Sequence, residues 1–360
     1  MAQSFDYESA SASDDGHAET SPLERLAEIA ARTAEETGKF ANVDAILRIP
    51  VTMQVVLGSA TIPVANLMKL GRGAVVPLDH RVGEPVDVVV NGRIVARGEV
   101  VVVGGFTASG GNSARSDAYS IARNTWRRLP DLPVSVDHAA SASAGGNVYV
   151  VGGYGGDRNP LKTAFVLGKN ETWRRLPALP DARAAAAAAI AGGKLYVLGG
   201  VDGRRRLARV AFALDLKSRR WARLPGPSPR EHLAAAAVGA RVYALGGRSA
   251  GIDTNTPRFE VYDAAARRWT ELASIPQARG GTGAAYANGR IVSIGGERPQ
   301  GTIAAVYAYE LRTRRWQRLP DLPSPRHGLG VVAHAGRVYA VAGGPQPGLT
   351  VSGAVESLRP

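Results

Sequence analysis

The sequence contains no cysteine, and aromatic side chains make up only 6% of its 360 residues. Without cysteine the chain can form no disulfide, no thiolate nucleophile and no Cys-ligated zinc or iron–sulfur centre. No apolar run approaches the roughly 18 residues that a membrane helix needs, and no basic segment followed by an apolar core opens the chain. These absences predict a soluble protein, and we expect a cytoplasmic location.

Positive and negative charges are unevenly distributed along the chain. Residues 1–103 carry 9 Lys and Arg against 14 Asp and Glu, whereas residues 104–360 carry 35 against 17. This asymmetry predicts two domains of opposite charge. Arg supplies 31 of the 35 cations in the second part. That excess fits either selection for phosphate binding or the amino-acid usage of a high-GC genome.

Residues 1–20 are acidic, rich in serine and poor in large aliphatic side chains, which predicts a disordered acidic arm. Ser21 followed by Pro22 and Glu24 is a helix-start signal, and apolar residues recur at helical spacing up to Gly38. We therefore expect a short amphipathic helix and a linker over residues 21–40. The helix either covers an apolar face, recruits a partner, or acts as a loosely docked tether.

Residues 41–103 consist of valine-rich runs that read as strands, such as IPVTMQVVLG and EPVDVVVNGRIVARGEVVVV. Asn91 and Gly92 separate two of these runs and predict a tight hairpin, because a two-residue turn needs positive φ at its central positions. The runs are apolar on both faces. Strands of that kind are buried on both sides, so a dimer or a partner subunit is expected to cover them.

These runs, together with LMKLGRGAVVPLDHRVGEPVDVVVNG, resemble the FliN/SpoA domain of the bacterial flagellar motor switch complex, which also builds type III secretion rings. The resemblance implies a ring component that dimerises and binds neighbouring switch subunits through residues 41–103. Family members continue after GEVVVV with a last strand, where this sequence has GGFTASGG. The positions implied to be core or interface are Val51, Val55, Leu57, Leu67, Leu70, Val75, Val76, Val88 and Val90.

A second pattern fills residues 104–360. Six diglycines begin at Gly104, Gly152, Gly199, Gly246, Gly295 and Gly343, at a spacing of 47 to 49 residues, and five tryptophans follow 21 to 23 residues behind. Four short strands per repeat, closed by Gly and Pro turns, describe one blade of a β-propeller. The diglycine, the Trp and the Leu-Pro that follows it resemble the kelch repeat. We expect the Trp to pack over the diglycine against the next blade.

Counting strands predicts a mainly β chain with five complete blades and one incomplete blade. An N-terminal fourth strand and a first strand before Glu99 are both missing, and the FliN-like segment stands in their place. The fusion is either natural or the product of a misjoined reading frame. Residues 97–103 could serve either domain, and we expect the FliN-like hairpin to keep them because its turn closes after two residues.

In several kelch propellers, arginines after the Leu-Pro turn line the central mouth. The matching residues here are Arg183, Arg230, Arg279 and Arg326. A ring of guanidinium groups would suit an acidic or phosphorylated ligand, and the alternative is that each Arg caps a strand by bonding loop carbonyls. His138, His232 and His327 lie near the same rim, but the propeller radius argues against a shared metal ion.

The paired arginines around each Trp are expected to protect exposed outer strands, so no nucleic acid is predicted. The prediction is a FliN-type switch component at the cytoplasmic face of the inner membrane, with a role in motor switching and chemotaxis. It has an appended kelch binding module, and we expect no catalysis, cofactor or metal. The alternatives are a kelch binding protein or a sugar-isomerising enzyme. The acid and base of such an enzyme would come from Glu231, Asp253, Glu297 or Asp202.

Overall fold

The computed structural model describes residues 98–360 in full, together with the backbone of the strands Gln3–Ser4, Met53–Val56, Asp87–Val90 and Arg93–Ile94. The chain divides into two units, one formed by Met1–Asp6 with Gly98–Pro360 and the other by Tyr7–Arg97. The predicted helix over residues 21–40 lies outside the described residues.

The smaller unit contains an antiparallel three-stranded sheet. Asp87–Val90 lies in the middle and pairs with Met53–Val56 on one side and with Arg93–Ile94 on the other. Val90 pairs with Arg93, so the two strands are joined by two residues. This pairing confirms the hairpin that the Asn-Gly dipeptide predicts.

The larger unit is a six-bladed β-propeller, which confirms the predicted architecture. Blades 2 to 5 each have four antiparallel strands, and the following bounds run from the innermost strand outward. Blade 2 consists of Ala140–Ala144, Asn147–Val151, Ala164–Leu167 and Trp173–Arg175. Blade 3 consists of Ala187–Ala191, Lys194–Leu198, Val210–Asp215 and Trp221–Pro225. Blade 4 consists of Ala234–Val238, Arg241–Leu245, Phe259–Asp263 and Arg268–Glu271. Blade 5 consists of Gly283–Ala287, Arg290–Ile294, Val306–Glu310 and Arg315–Leu319.

Blades 1 and 6 are irregular. Blade 1 has three described strands, Glu99–Val103, Ser116–Ser120 and Thr125–Arg128. Blade 6 has Gly330–His334, Arg337–Val341 and Val355–Leu358, and Gln3–Ser4 adds a fourth strand parallel to the last of these. The expectation that an N-terminal fourth strand is missing is therefore wrong. Short elements at the rim are Arg183–Ala184 with Val201–Asp202, Glu297–Arg298 with Gly301–Thr302, and the 3-10 helix Ile252–Thr254.

The core lies between neighbouring blades. Leu195 and Val197 of blade 3 are fully buried and pack with Tyr149, Val151 and Val166 of blade 2. The same second-strand positions are fully buried in later blades, so burial repeats with the sequence period. Each such aliphatic side chain contributes about 1.5 to 3 kcal/mol by leaving water. The innermost strands, by contrast, carry mostly Ala and Gly, because they converge on the central channel.

The first five diglycines lie where the second strand ends, and both of their residues have positive φ. In blade 6 the corresponding left-handed pair is Ala342 and Gly343, so the sixth diglycine is shifted by one residue. Gly152 has φ 65°, and a Cβ there would stand 2.1 Å from the Arg183 carbonyl oxygen. Only glycine fits both the left-handed backbone and this close approach. The conformational role that the sequence predicts for the diglycine is confirmed.

Residues 99–103 belong to the propeller, so the expectation that the FliN-like hairpin keeps residues 97–103 is wrong. Glu99–Val103 pairs along its whole length with Ser116–Ser120. Val100 and Tyr119 pack together against buried residues of blade 6. The physical reason is that pairing with residues 116–120 closes only the short loop 104–115, so the propeller competes for this strand without first closing its ring.

The tryptophans also differ from expectation. Each indole from Trp173 onward donates its Nε1–H to a carbonyl in the turn of the preceding blade, as Trp221 does to Pro177 at 2.9 Å. From Trp221 onward the indole ring also faces an aromatic side chain of its own blade, which for Trp221 is Phe212 at 6.5 Å between centroids. The indole therefore ties each outer strand to the previous blade and does not cover the diglycine.

Candidate functional site

One mouth of the channel is formed by a ring of backbone hydrogen bonds that joins five blades. One residue per blade, just before the innermost strand, has left-handed φ between 50° and 64°. From the second blade of this series onward, the N–H of each donates to the carbonyl of its counterpart in the preceding blade, at 2.8 to 3.0 Å, which gives four bonds. We call these residues the mouth ring. Its members are His138, Ala185, His232, Gly281 and Gly328.

Two of the five members are histidines, although a left-handed backbone disfavours any residue with a Cβ. The rings of His138 and His232 meet edge to face across Ala185, with centroids 4.8 Å apart. Each follows an acidic residue, and His138 Nδ1 lies 2.5 Å from Asp137 Oδ1. The left-handed backbone is shared by Ala185 between them, so it is the pairing of the two imidazoles at the mouth that makes them candidate site residues.

Arg248 is the centre of the polar network beside these histidines. Its guanidinium donates to Glu297 Oε1 at 2.7 Å, to Glu231 Oε1 at 3.4 Å and to His232 Nε2 at 3.0 Å. Its side chain is only 12% exposed. Glu297 also lies 3.5 Å from Nδ1 of His327, the residue before the ring member Gly328. Two carboxylates, one guanidinium and two imidazoles therefore share one corner of the mouth.

The protonation states at the mouth follow from burial and neighbours. Burial lowers the pKa of His232 below its ordinary value, and the nearby His138 and Arg248 act in the same direction against Glu231. Burial raises the pKa of Glu231, but its interactions with His232 and Arg248 outweigh burial and leave that pKa lowered. At neutral pH the corner thus holds an ionised carboxylate beside a neutral imidazole.

The positions of these groups follow a rule within blades 2 to 5. The residue after the diglycine bridges, strand to strand, to the residue before the mouth ring, as Arg248 does to Glu231 and Tyr154 to Asp137. Tyr154 stands 5.8 Å from the His138 ring, and Arg158 lies over its face at 4.7 Å. Sequence reasoning missed Arg248 and Tyr154. The signal that could have found them is their place directly after a diglycine.

The mouth opens into a cavity of about 1080 Å³ that extends down the channel. The polar corner lies at one end, and the walls below it are mostly alanine and valine from the innermost strands and from residues 99–103. Such a cavity, polar at its mouth and apolar below, is large enough for a small ligand. The residues in the polar part include His138, Tyr154, Glu231, Arg248, Glu297 and His327.

The four arginines predicted to line the mouth are instead buried inside the blades, so the predicted placement is wrong. All four are at most 2% exposed. Arg230 donates to the Gly246 carbonyl at 2.6 Å and pairs with Glu260, and Arg326 repeats this arrangement with Ala342 and Glu356. The alternative, that each Arg bonds loop carbonyls, describes the structure.

Arg183 and Arg279 are bound differently from the other two. Arg183 donates to the Ala182 carbonyl at 2.7 Å and its guanidinium lies over the ring of Phe212. Arg279 donates to the Ala305 carbonyl at 2.9 Å and has no carboxylate partner among the described residues. Burial lowers the pKa of Arg279 to about 10. These arginines hold strands together and offer nothing to a ligand.

The four carboxylates considered as acid or base separate into two groups. Glu231 and Glu297 converge on Arg248. Asp202 accepts backbone N–H bonds from Arg204 and Arg206 in its own turn, and Asp253 lies in the 3-10 helix. In the described part of the chain, no cluster of His, Asp or Glu is arranged to hold a metal.

The predicted interface positions of residues 41–103 lie outside the described side chains. For Val55, Val88 and Val90 the structure gives only the backbone pairing. The others are Val51, Leu57, Leu67, Leu70, Val75 and Val76. Their role in self-association stays a prediction.

Comparison with known proteins identifies two families in the chain. Residues 138–344 match the family model described as the KLHDC2/KLHL20/DRC7 Kelch-repeats domain. Residues 44–109 match the model described as Type III flagellar switch regulator (C-ring) FliN C-term. Both resemblances inferred from the sequence are confirmed.

Several curated relatives are flagellar motor switch proteins that match a short part of this chain. The flagellar motor switch protein FliN of Pseudomonas aeruginosa is 52% identical over 62 residues, which are 17% of this chain and 40% of that protein. FliN of Caulobacter vibrioides is 49% identical over 63 residues, 18% of this chain and 57% of that protein. The flagellar motor switch phosphatase FliY of Bacillus subtilis is 47% identical over 62 residues, 17% of this chain and 16% of that protein. The chain thus spans well under two thirds of each of these relatives.

Among solved structures, one titled "Structure of YjhT" superposes with a TM-score of 0.62 at 16% identity, covering 72% of this chain and 91% of that one. At that identity the likeness shows the propeller fold alone. In the part of the chain that the structure describes, no helix is both long and apolar enough to cross a membrane.

Proposed function

Because this chain belongs to the kelch-repeat family and also carries a FliN-type segment, we propose that it is a flagellar switch-ring component whose propeller is an appended binding module. Residues 41–103 supply assembly, through self-association and contact with neighbouring switch subunits. The propeller supplies ligand binding at its mouth. The relevant location is the cytoplasmic face of the inner membrane, where a ring of this kind contributes to switching of the motor and to chemotaxis.

The similarity to FliN proteins supports the assembly half of this proposal. Identity of 43 to 52% over more than 60 residues is found in several flagellar motor switch proteins. The strands of this segment are apolar on both faces by sequence, and their central strand Asp87–Val90 is valine-rich. Strands of that composition need cover on two sides, which a second copy or a neighbouring ring subunit provides.

The ligand half of the proposal rests on the polar corner around Arg248. Its guanidinium is already neutralised by Glu231 and Glu297, so the corner offers alternating donors and acceptors without a free cation. A neutral ligand with several hydroxyl or amide groups fits that arrangement better than an acidic or phosphorylated one. The aromatic face of Tyr154 beside the histidines gives such a ligand a flat surface to stack on.

Self-association can be tested on the full chain by light scattering at micromolar concentration. We expect oligomers for the wild type and their loss in Val88→Asp, because a carboxylate at an apolar contact costs several kcal/mol. The control is Thr125→Asp on the exposed outer strand of blade 1, which should keep the oligomers. A wild-type monomer would contradict the assembly proposal.

The switch function itself can be tested in cells that lack their own FliN-type protein. Expression of the full chain should restore swimming in soft agar, and Val88→Asp should not. Pull-down of the neighbouring switch subunits by the wild-type chain is the biochemical counterpart. If the chain neither restores swimming nor retains those subunits, its FliN-like segment does not act in a flagellar ring.

Binding at the mouth can be tested by ligand-observed NMR with a panel of neutral hexoses, N-acetylated sugars and sugar acids. Arg248→Met should abolish binding of any hit. Arg241→Met on the same blade should leave it unchanged, because Arg241 is 62% exposed and 4.0 Å from Asp263. Conversion of a bound sugar into an isomer would support the enzyme alternative, with Glu231 and His232 as the groups to replace next.

A further inference from the structure

The three histidines at the mouth differ in whether a ring nitrogen is left open to a ligand. His232 accepts at Nε2 from Arg248 at 3.0 Å, and its Nδ1 lies 3.3 Å from Glu231 Oε1. Nε2 of His327 lies 3.0 Å from the Gln346 carbonyl oxygen, to which it donates. Because a guanidinium only donates and a carbonyl only accepts, these contacts fix which nitrogen carries the proton. Both rings therefore already use Nε2 within the protein.

His138 leaves its Nε2 unused. Its Nδ1 lies 2.5 Å from Asp137 Oδ1, and since a carboxylate only accepts, Nδ1 carries the proton and the lone pair of the neutral ring is on Nε2. Among the described residues no hydrogen bond reaches this Nε2, which is not a buried atom. The His138 side chain is 24% exposed, against 12% for His232 and 13% for His327, and it lines the cavity. Nε2 of His138 is thus an acceptor that is open to the cavity.

Asp137 is placed to hold this imidazole. Its side chain is fully buried, and its backbone N–H and C=O both bond to Tyr154, at 3.2 and 2.8 Å. In the described part of the chain its Oδ2 has no hydrogen-bond partner. Arg158 lies 3.5 Å from Oδ1, but its side chain is 54% exposed, so solvent weakens that pair. The negative charge of Asp137 therefore acts mainly on the His138 ring, where it favours the form with the proton on Nδ1.

Three aromatic rings hold the plane of the His138 ring. Phe106 and Tyr154 meet it edge to face, with centroids 5.6 and 5.8 Å away, and His232 meets it in the same way at 4.8 Å. The His138 carbonyl also accepts from the Ala185 N–H at 3.0 Å. Contacts of this kind fix the orientation of a side chain and so preorganise it for a ligand.

We propose that the Asp137–His138 pair is the site that accepts a hydrogen bond from a hydroxyl or amide donor of a ligand at the mouth. Asp137 is the positioning residue, and Nε2 of His138 takes the hydrogen bond. This inference rests on the ligand-binding half of the proposed function and adds a requirement to it. The ligand must present an O–H or N–H donor to His138, and a ligand with an ether oxygen at that point is not bound there.

Diethyl pyrocarbonate tests this assignment on the full chain, because it acylates an imidazole nitrogen that is accessible and unprotonated. The rate at each histidine is measured by mass spectrometry near neutral pH. His138 should react about fivefold faster than His232 or more, because Nε2 of His232 must first lose its hydrogen bond from Arg248. Equal rates at the two histidines would overturn the inference.

The role of Asp137 is tested by Asp137→Asn, which keeps the shape of the side chain. The new amide N–H can bond to Nδ1 of His138 and leave the proton on Nε2, so the His138 rate should fall about fivefold or more. The matched control, Asp131→Asn, replaces a 53% exposed carboxylate and should leave the His138 rate unchanged. A variant that unfolds would make both His138 and His232 react faster, so misfolding cannot imitate the expected result. An unchanged His138 rate in Asp137→Asn would show that Asp137 does not position the ring.

Ligand binding at His138 is tested with D-glucose and N-acetyl-D-glucosamine as probes, by ligand-observed NMR. A sugar that binds the wild type should protect His138 from acylation, and it should bind Asp137→Asn about fivefold more weakly or worse. A bound sugar that leaves the His138 rate unchanged would overturn the inference. Failure of both sugars to bind would count against the proposed neutral ligand, whereas the order of the two histidine rates still decides whether Nε2 of His138 is the open acceptor.

Discussion

The two differently partnered arginines, Arg230 and Arg279, allow one stability prediction to be worked in depth. Both are buried at equivalent places in adjacent blades. Arg230 pairs with the buried Glu260, whereas Arg279 lies over the Tyr307 ring with only carbonyl and amide oxygens as acceptors. Replacing each by Met keeps an unbranched apolar side chain in the same place. The two variants therefore differ mainly in whether a buried carboxylate is left behind.

The expected magnitudes follow from that difference. In Arg230→Met, Glu260 is 5% exposed and loses its countercharge, which costs about 3 to 5 kcal/mol when a buried pair is broken. Ser228 still donates its N–H and Oγ–H to Glu260 Oε1, so we expect about 3 kcal/mol. In Arg279→Met the lost carbonyl bonds cost about 1 kcal/mol each, and removal of an uncompensated buried charge offsets part of that. We expect about 1 kcal/mol in total for Arg279→Met.

The assay is thermal and urea unfolding of the full chain, followed by tryptophan fluorescence. At about 2 to 4 °C per kcal/mol, Arg230→Met should lower Tm by about 6 to 12 °C and Arg279→Met by about 2 to 4 °C. The double variant Arg230→Met with Glu260→Leu should recover most of the loss, because no buried charge remains. Equal losses for the two single variants, or no recovery in the double variant, would refute the reasoning.

Three further predictions concern the repeat. Gly152→Ala should lower the free energy of unfolding by about 3 kcal/mol more than Gly192→Ala, as measured by urea unfolding. Both glycines have positive φ, but of the two only Gly152 would bring a Cβ within 4 Å of a backbone atom. Trp221→Ala should lower the free energy of unfolding by about 2 to 3 kcal/mol, because the half-buried indole donates to the Pro177 carbonyl. Trp126→Ala should cost less, because Trp126 is 43% exposed. Similar losses of Tm in the two variants would contradict this prediction. Burial lowers the pKa of Arg279 to about 10, below that of an arginine in the unfolded chain, so above this pH the unfolded state binds more protons than the folded state. The stability of the wild type relative to Arg279→Met should therefore rise with pH, and urea midpoints at pH 9 and pH 11 would check the sign.

The fold could be predicted from the sequence because its signals are local and repeated. A diglycine permits a backbone that other residues resist, and six of them at nearly constant spacing predict a ring of equal blades. The Asn91-Gly92 hairpin is local in the same sense. The two family resemblances follow from runs of residues that are contiguous in the chain.

The functional site was less accessible to such reasoning. The arginine positions are recurrent in sequence, but whether a guanidinium faces the channel or turns back into its blade depends on which acceptors surround it. Gly246 and Ala244 carbonyls together with Glu260 surround Arg230, and they come from two other strands. Arg248 directly follows a diglycine, but the residue at that position differs from blade to blade, so the sequence marks the position and not the side chain that it carries.

The sequence by itself determined the propeller, its period, the position of most left-handed glycines and the resemblance of one segment to FliN, because each depends on a few residues that are adjacent in the chain. Only the tertiary structure decided that residues 99–103 serve the propeller and that the four arginines are internal. The same holds for Glu231, His232, Arg248 and Glu297, which lie in different strands and loops yet share one corner of the mouth. These outcomes depend on competition between partners distant in sequence, and that competition is settled by burial and hydrogen-bond geometry once the ring has formed.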